Sequence, residues 1–155
     1  MIRRAQEKDI PQIMSLLRQV CKVHADGRPD LFVDGGTKYS EDELRAILAD
    51  DSTPVFGWCD KEDVLRGYAF CVIKEPTSDN ATTNIRSLYI DDICVDENAR
   101  GRHIGKELYE AVRTFAKNAG CYNITLNVWE KNPTARAFYK AMGMTVQKTC
   151  MECIL

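Results

Sequence analysis

Two groups of residues in the second half of the chain are of types that could do chemistry. One is a pair of adjacent acids, Asp91 and Asp92, inside the otherwise apolar run YIDDICV. The other is the loop DENARGRHIG at residues 96–105, where two glycines and two arginines precede a pattern typical of a helix. A carboxylate can attract an amine and accept its proton, and glycines before a helix let its free N–H groups approach a phosphate.

The loop by its residues alone leaves two interpretations open. The start of a helix presents unpaired N–H groups and the positive end of the helix dipole, which suits a pyrophosphate. The loop contains neither the GxxxxGK[ST] pattern of a P-loop nor the GxGxxG pattern of a dinucleotide-binding fold. It is therefore either a phosphate cradle of another kind or an ordinary strand–helix connection.

The two acids also have two interpretations. Successive side chains of a strand point to opposite faces, so Asp91 and Asp92 share a face only if the strand bends or bulges. A carboxylate on the face of a sheet is costly without a partner. We expect either an acidic wall that binds and deprotonates an amine, or structural hydrogen bonds.

The first half of the chain predicts a strand, two helices and a hairpin. MIRRA is a short strand, and Asp9 is predicted to cap a helix that begins near Ile10. Ser40 and Glu43 form a capping box for the second helix. The runs TPVFGWCD and VLRGYAFCVIKE flank a turn and predict an antiparallel hairpin.

The second half predicts a strand–helix–strand unit, a further helix and terminal β structure. The strands IRSLYIDDICV and CYNITLNVW are joined by a helix that ends at Gly120, which implies a right-handed crossover and a parallel pair. NPTARAFYKAMG is a helix with Asn132 as its cap, and MTVQKTCMECIL is predicted to be β structure. We expect one domain over residues 1–155, with a mixed α/β sheet.

Composition limits the classes of protein to consider. The net charge of −2 provides no general attraction to nucleic acid or to an anionic membrane. No apolar run approaches the roughly 20 residues that span a bilayer, and we expect no signal peptide. The seven cysteines suit a reducing cytoplasm, with most of them as small core residues. The CxxC pair Cys150 and Cys153 lacks the further ligands of a zinc site, so no metal is expected.

Two segments together resemble the GNAT superfamily of acetyl-CoA-dependent N-acetyltransferases. The first, ICVDENARGRHIGKELYEAV, is similar to the family loop [R/Q]-x-x-G-x-[G/A] at Arg100, Ile104 and Gly105, with His103 in place of the central glycine. The second is similar to N-x-x-A-x-x-F-Y-x-x-x-G-F, and the matching residues are Asn132, Ala135, Phe138, Tyr139 and Gly143, with Met144 in place of the last phenylalanine. The order of elements agrees with the family over nearly the whole chain.

The resemblance implies a GNAT-like mixed, mostly antiparallel sheet flanked by helices, with a splayed parallel strand pair. It implies a cytoplasmic enzyme that transfers an acetyl group from acetyl-CoA to a primary amine by direct attack in a ternary complex. The acceptor is a small-molecule amine or a peptide amine, and a homodimer is left open. A non-catalytic acyl-CoA-binding or regulatory module is the alternative, because His103 replaces a loop glycine and Asn127 stands where one branch of the family has its base.

The resemblance also assigns roles to individual residues. Asp91 is the expected base, acting through water, and Tyr139 is the expected acid for the leaving thiolate. Contacts with acetyl-CoA are expected from Ile93, Val95, Arg100, Gly101, Arg102, His103, Ile104, Gly105, Lys106, Asn132 and Tyr139. Contacts with the acceptor are expected from Asp92, Tyr89 and His24. The His103 side chain either lies beside the phosphates or points to solvent, and we favour solvent.

Overall fold

The structure is a computed structural model that describes residues 1–155. Its strands are β1 (Ile2–Arg4), β2 (Val55–Cys59), β3 (Leu65–Lys74), β4 (Ser87–Val95) and β5 (Asn123–Leu126). Its helices are α1 (Ile10–Gly27), α2 (Glu41–Ala49), α3 (Ile104–Asn118) and α4 (Pro133–Ala141), with short 3₁₀ turns at Glu7–Asp9 and Glu97–Ala99. None of these helices combines the length and the apolar character that crossing a bilayer requires.

The five strands form one sheet in chain order, β1-β2-β3-β4-β5. Neighbouring strands from β1 to β4 are antiparallel, which confirms the predicted hairpin of β2 and β3. The last pair, β4 and β5, is parallel, and α3 makes the crossover between them. The sheet is therefore mixed and mostly antiparallel, as the sequence predicts.

Apolar side chains cover both faces of the sheet. On one face, α1 and α2 bury Ile13, Leu17 and Leu44 against Tyr68 and Phe70 of β3. On the other face, α3 contributes most of the buried cluster, and the side chains that pack there from α3 and the sheet include Ile104, Leu108, Val112, Ala69, Leu88 and Ile90. Because helices cover both faces, the ends and the edges of the sheet remain the places where a ligand can reach the strands.

Two of the three predicted helix caps are present. The Ser40 hydroxyl accepts a hydrogen bond from the Glu43 amide at 3.2 Å, and the Glu43 carboxylate accepts one from the Ser40 amide at 2.7 Å, which completes the capping box. The Asn132 side chain accepts a hydrogen bond from the Ala135 amide and caps α4. Both caps satisfy N–H groups that the helices cannot pair internally.

The prediction that the Asp9 side chain caps α1 was wrong. Asp9 is buried, and its carboxylate accepts two hydrogen bonds from Arg3, at 2.7 and 2.9 Å, and one from the Gln6 amide at 2.8 Å. An ion pair between strand and helix outcompetes the local cap, because a buried carboxylate gains more from a guanidinium than from one amide. Asp9 thus ties β1 to the start of α1.

The predicted β structure in MTVQKTCMECIL was also wrong for this chain, since no strand is found in residues 144–155. The preceding strand is shorter than CYNITLNVW and ends at Leu126. A strand needs a partner for its hydrogen bonds, and within this chain the segment meets none.

Removing the Asp9 carboxylate should destabilise the fold strongly. Asp9→Ala leaves the Arg3 guanidinium, whose side chain is 18% exposed, without its main partner. Breaking a largely buried pair from one side costs about 3 kcal/mol. Urea unfolding at neutral pH measures the loss. Glu130→Ala removes an exposed partner of Arg136 and should change the free energy of unfolding by less than about 1 kcal/mol; equal losses in the two variants would contradict this account.

Candidate active site

A bulge in β4 sets the direction of both acids. Phe70 of β3 lies opposite Asp92, but the next residue, Cys71, lies opposite Ile90. Asp91 is therefore an extra residue in β4 with no partner of its own in β3. A bulge at this point is the condition under which two adjacent acids of a strand can share a face.

The contacts on either side of the bulge show the consequence. Ile90 and Ile93 both pack with the core under α3, although they are three positions apart in the strand. Asp92 instead contacts Tyr68, a residue of the core under α1 and α2, and Asp91 contacts Tyr39, which packs against that core. Both carboxylates therefore point to the α1–α2 face.

Asp91 is held by two residues that precede α2. The Lys38 ammonium lies 2.8 Å from one carboxylate oxygen, and the Tyr39 hydroxyl donates a hydrogen bond to the other. The ammonium also lies 3.3 Å from the Asp91 carbonyl oxygen. Burial, together with the neighbouring Asp91 carboxylate, raises the pKa of Tyr39, so this hydroxyl stays protonated and remains a donor. The Asp91 carboxylate is thus already paired with one primary ammonium group, that of Lys38 in the same chain.

Asp92 lies in a different environment a single residue away. The Tyr68 hydroxyl donates a hydrogen bond to it at 2.7 Å. Burial raises the pKa of Asp92 from 3.8 to about 6, against the opposing effects of the Tyr68 hydrogen bond and the Lys38 charge. A carboxyl group with a pKa of about 6 can both accept and release a proton close to neutral pH, which general acid–base catalysis requires.

Tyr139 projects from α4 towards the same region. Its ring packs against Phe138 at 5.3 Å between centroids, and its hydroxyl has no hydrogen-bond partner in the protein. Burial raises the pKa of Tyr139, and the nearby Asp92 carboxylate raises it further. The phenol is therefore a protonated donor whose hydrogen is free for a ligand.

The loop before α3 presents a row of free amides. The N–H groups of residues 101–106 donate to no backbone acceptor, and no side chain accepts from them. Gly101 has φ 78°, and a Cβ added there would meet nothing within 4 Å. With the dipole of α3 behind them, these amides form a cradle that fits a pyrophosphate.

His103 occupies the place of the family's central loop glycine without closing this cradle. Its backbone is left-handed, with φ 61° and ψ 13°, a conformation that histidine adopts more readily than a β-branched residue. His103 is exposed to solvent, and its side chain makes no capping hydrogen bond to α3. The substitution therefore preserves the loop conformation that glycine would otherwise supply.

Gly105 has a packing role in the same loop region. A Cβ at this position would lie 3.4 Å from the Phe138 ring and 3.8 Å from Val95 Cγ2. A glycine here lets α3 approach both α4 and the end of β4. This contact brings the helix that carries Tyr139 close to the helix that carries the free amides.

The parallel strands β4 and β5 stop pairing partway along β4. The pairing of β4 with β5 ends at Ile90 and Leu126, whereas β4 continues to Val95. Beyond Ile90, the β5 side of β4 therefore has no strand partner, and Ile93 and Val95 border this opening. The opening runs from the amide cradle to the two carboxylates.

The remaining predicted residues lie around this centre. The Tyr89 hydroxyl accepts a hydrogen bond from the Asn127 amide at 3.3 Å. His24 stacks on Phe32 at 4.9 Å, and burial followed by the Lys38 charge lowers its pKa. His24 contacts neither acid and packs in an aromatic group beyond them.

Sequence reasoning missed three residues that hold the acids: Lys38, Tyr39 and Tyr68. Lys38 and Tyr39 precede the capping box of α2, where a loop is expected to be polar. Tyr68 lies in an apolar strand that predicts only a core tyrosine. No spacing in the sequence relates any of them to positions 91 and 92.

Comparison with known proteins identifies the family. Residues 18–144 match the acetyltransferase (GNAT) family. The chain belongs to this family. Thialysine N-epsilon-acetyltransferase of Bos taurus is 30% identical over 149 residues, which cover 92% of this chain and 82% of that protein. Glucosamine 6-phosphate N-acetyltransferase of Arabidopsis thaliana is 30% identical over 91 residues, which cover 50% of this chain and 59% of that protein. The chain is accordingly an acetyltransferase enzyme.

Solved structures of this GNAT fold agree with the observed architecture. The tetramutant of the BH1408 protein from Bacillus halodurans superposes with a TM-score of 0.95 at 28% identity, covering 100% of this chain and 99% of that chain. The aminoglycoside acetyltransferase meta-AAC0020 from an uncultured soil metagenomic sample, in complex with sisomicin, has a TM-score of 0.73 at 20% identity, covering 100% and 94%. The second likeness concerns the fold alone.

Replacing Asp92 by asparagine should change how stability depends on pH. The pKa of Asp92 in the folded state, about 6, is above its ordinary value of 3.8, so the fold loses stability as the pH rises through this interval and the carboxyl group ionises. A pKa shift of this size corresponds to a loss of at most about 3 kcal/mol in the free energy of unfolding. Asp92→Asn cannot ionise, so it should gain stability relative to the wild type between pH 4 and pH 8, measured by urea unfolding. Asp51→Asn, in an exposed turn, is the control, and an Asp92→Asn profile parallel to the wild type would refute the assignment.

Proposed function

We propose that residues 1–155 act as one N-acetyltransferase domain that transfers the acetyl group of acetyl-CoA to a primary amine by direct attack in a ternary complex. The observation that carries this proposal is the Lys38 ammonium on the Asp91 carboxylate, because an ion pair of this kind supports a site that can take a primary alkylammonium. The named relatives support it, since a thialysine and a glucosamine 6-phosphate N-acetyltransferase both take their names from amine acceptors.

The arrangement of the loop and the opening fits coenzyme A. Its pyrophosphate would bind the free amides of residues 101–106, with the side chains of Arg100, Arg102, His103 and Lys106 around it. Its pantetheine arm would lie along Ile93 and Val95, as an added strand does at an open edge. Acetyl-CoA bound in this way would supply a thioester carbonyl to the acids and Tyr139, and Asn132, which caps α4, would contact the cofactor.

The two acids have separate tasks in this proposal. From the resemblance, Asp91 is the base and Asp92 contacts the amine, but the contacts favour the opposite division. Asp91 already holds an ammonium and would hold the positive charge of the acceptor in its place. Asp92, with a pKa of about 6, would take the proton that the amine must lose before it attacks. Tyr89 and His24 would line the acceptor side.

The bond changes balance with one acid and one base. The neutral amine nitrogen forms a bond to the thioester carbonyl carbon, and the bond between that carbon and sulfur breaks. Asp92 holds the proton that the ammonium loses before the attack. After the attack, Tyr139 gives its proton to the leaving thiolate, and the second proton of the nitrogen replaces it on the phenol. The phenol suits this role because burial keeps it protonated and its hydroxyl has no competing partner in the protein.

A panel of amines separates catalysis from the non-catalytic alternative. The chain is incubated with acetyl-CoA and, in turn, a lysine-like alkylamine, an amino sugar phosphate, an aminoglycoside and a peptide, and thiol release is recorded. We expect turnover with at least one primary amine, and we expect the alkylamine to be the best because Lys38 has that shape. Calorimetric binding of acetyl-CoA without turnover of any amine would favour the acyl-CoA-binding module.

Tyr139→Phe tests the acid. The substitution removes only the hydroxyl and keeps the ring that packs against Phe138. Turnover should fall at least tenfold, the lower range of a placed proton donor, while acetyl-CoA affinity and the melting temperature stay nearly unchanged. Tyr122→Phe changes a tyrosine that is 76% exposed and should have no effect. Wild-type turnover in Tyr139→Phe would remove this residue from the mechanism.

Gly101→Val tests the cradle against a matched glycine. Gly101 and Gly120 both have a positive φ, 78° and 71°, and neither has an atom within 4 Å of an added Cβ. Valine strains the backbone at either position, so both variants should lose similar stability. Only Gly101→Val should weaken acetyl-CoA binding, by about tenfold or more in calorimetry, since Gly120 lies at the far end of α3. Equal affinity for acetyl-CoA in the two variants would mean that the pyrophosphate does not bind at the Gly101 loop.

A further inference from the structure

The Lys38 side chain lies where an acceptor amine would lie in the proposed function. Its ammonium is 2.8 Å from an Asp91 carboxylate oxygen and 3.3 Å from the Asp91 carbonyl oxygen. It also lies 5.6 Å from the centre of the Tyr39 ring, within the range of a cation–π contact. Asp91 is the first residue of β4 after its pairing with β5 ends at Ile90. These contacts bring the Lys38 nitrogen to the start of the opening between the strands.

The base and the acid of the proposed reaction belong to the same group of residues. Asp92 follows Asp91 in β4, and the Lys38 ammonium opposes the rise that burial causes in the pKa of Asp92. Burial and then the Asp92 carboxylate raise the pKa of Tyr139. Charges act on a pKa in this way when they lie close to the titrating group. The ammonium, the base and the acid are therefore neighbours.

The position of Lys38 in the chain leaves its side chain free to turn towards a ligand. Residues 28–40, between α1 and α2, contain no helix or strand. The Lys38 side chain is 45% exposed, and its four-carbon stem is flexible, so the nitrogen can leave Asp91 without unfolding any element. No other lysine has its ammonium on Asp91 or Asp92. Any reaction of the acids with a lysine of the chain is therefore expected at this position alone.

We propose that Lys38 is itself an acetyl acceptor, modified by the site of its own chain. The inference rests on the proposed function, because Asp92 and Tyr139 act on Lys38 as they would on a free amine. No added acceptor is needed, since the chain itself holds the nitrogen at the site. The modification removes the positive charge that pairs with Asp91.

The atoms and protons of this step balance. The Lys38 ammonium gives one proton to Asp92, and the neutral nitrogen then forms a bond to the thioester carbonyl carbon while the bond between that carbon and sulfur breaks. Tyr139 gives its proton to the thiolate, and the second proton of the nitrogen replaces it on the phenol. The products are a chain with an acetamide on Lys38 and the free thiol of coenzyme A, and Asp92 releases its proton to water.

The mass of the chain is the first test. The purified chain is treated with a lysine deacetylase and then incubated with acetyl-CoA that carries a deuterated acetyl group, without an added amine. It should gain the mass of one acetyl group, and peptide mapping should place the label on Lys38. Lys38→Arg keeps a cation beside Asp91, but its guanidinium stays protonated, so this variant should gain no mass.

Lys8→Arg is the matched control for this test. Lys8 is also paired with a carboxylate, that of Asp63, and its side chain is 55% exposed, but it contacts neither acid of the site. This variant should gain the same mass as the wild type. An unlabelled Lys38 in the wild type, or an equal gain of mass in Lys38→Arg, would overturn the inference.

The rate of labelling distinguishes a reaction in the site from spontaneous acetylation. Tyr139→Phe should label Lys38 at least about tenfold more slowly, as expected when a placed proton donor is lost. Butylamine, which has the shape of the end of a lysine side chain, should compete for Asp91 and slow the labelling of the wild type. Dilution of the protein should leave the rate constant unchanged, because nucleophile and site belong to one chain. Equally fast labelling in Tyr139→Phe, or labelling that slows in proportion to dilution, would show that Lys38 is not modified by its own site.

The panel of amines shows which of the two proposals fails. Turnover of an added amine by a chain whose Lys38 stays unlabelled would overturn self-acetylation and leave the proposed function intact. A chain that neither acetylates an added amine nor labels Lys38 would overturn both. Labelling of Lys38 that depends on Tyr139 supports the inference with any acceptor.

Discussion

The bulge at Asp91 is the constraint on which the site depends. In a regular strand, adjacent acids would lie on opposite faces, and one of them would enter the core under α3. The extra residue turns Asp92 to the face that already carries Asp91, where Tyr68 can reach it. Both carboxylates then lie at the point where β5 leaves β4, so the opening for a ligand and the acids coincide.

The surroundings of the acids cost stability and suit catalysis. Asp92 is partly buried without a cation of its own, and the loss of solvent around its carboxylate raises its pKa to about 6. Asp91, its neighbour, is neutralised by Lys38 and fixed by Tyr39. The two environments differ although the residues are adjacent, because one carboxylate has an ammonium partner and the other has only a phenol. That difference supports the proposal of different tasks for the two acids.

The short strand β5 relates the site to the surface of the molecule. Its inner side pairs with β4 for four residues and then separates, which leaves the opening. Its outer side pairs with no strand of this chain. Directly after β5, the Asn127 side-chain amide donates a hydrogen bond to the Tyr89 hydroxyl, which ties the end of this strand to β4.

The sequence by itself determined the local features: the order of the elements as far as α4, the capping box at Ser40, the cap at Asn132 and the parallel crossover. It also identified the loop and the acid pair, because loop glycines and acids within an apolar run are visible without any partner. Only the tertiary structure showed which residues hold those acids. Lys38 lies 53 positions from Asp91, and no periodicity records such a contact. The state of residues 145–155 was decided in the same way, because a strand forms only where another backbone accepts its hydrogen bonds.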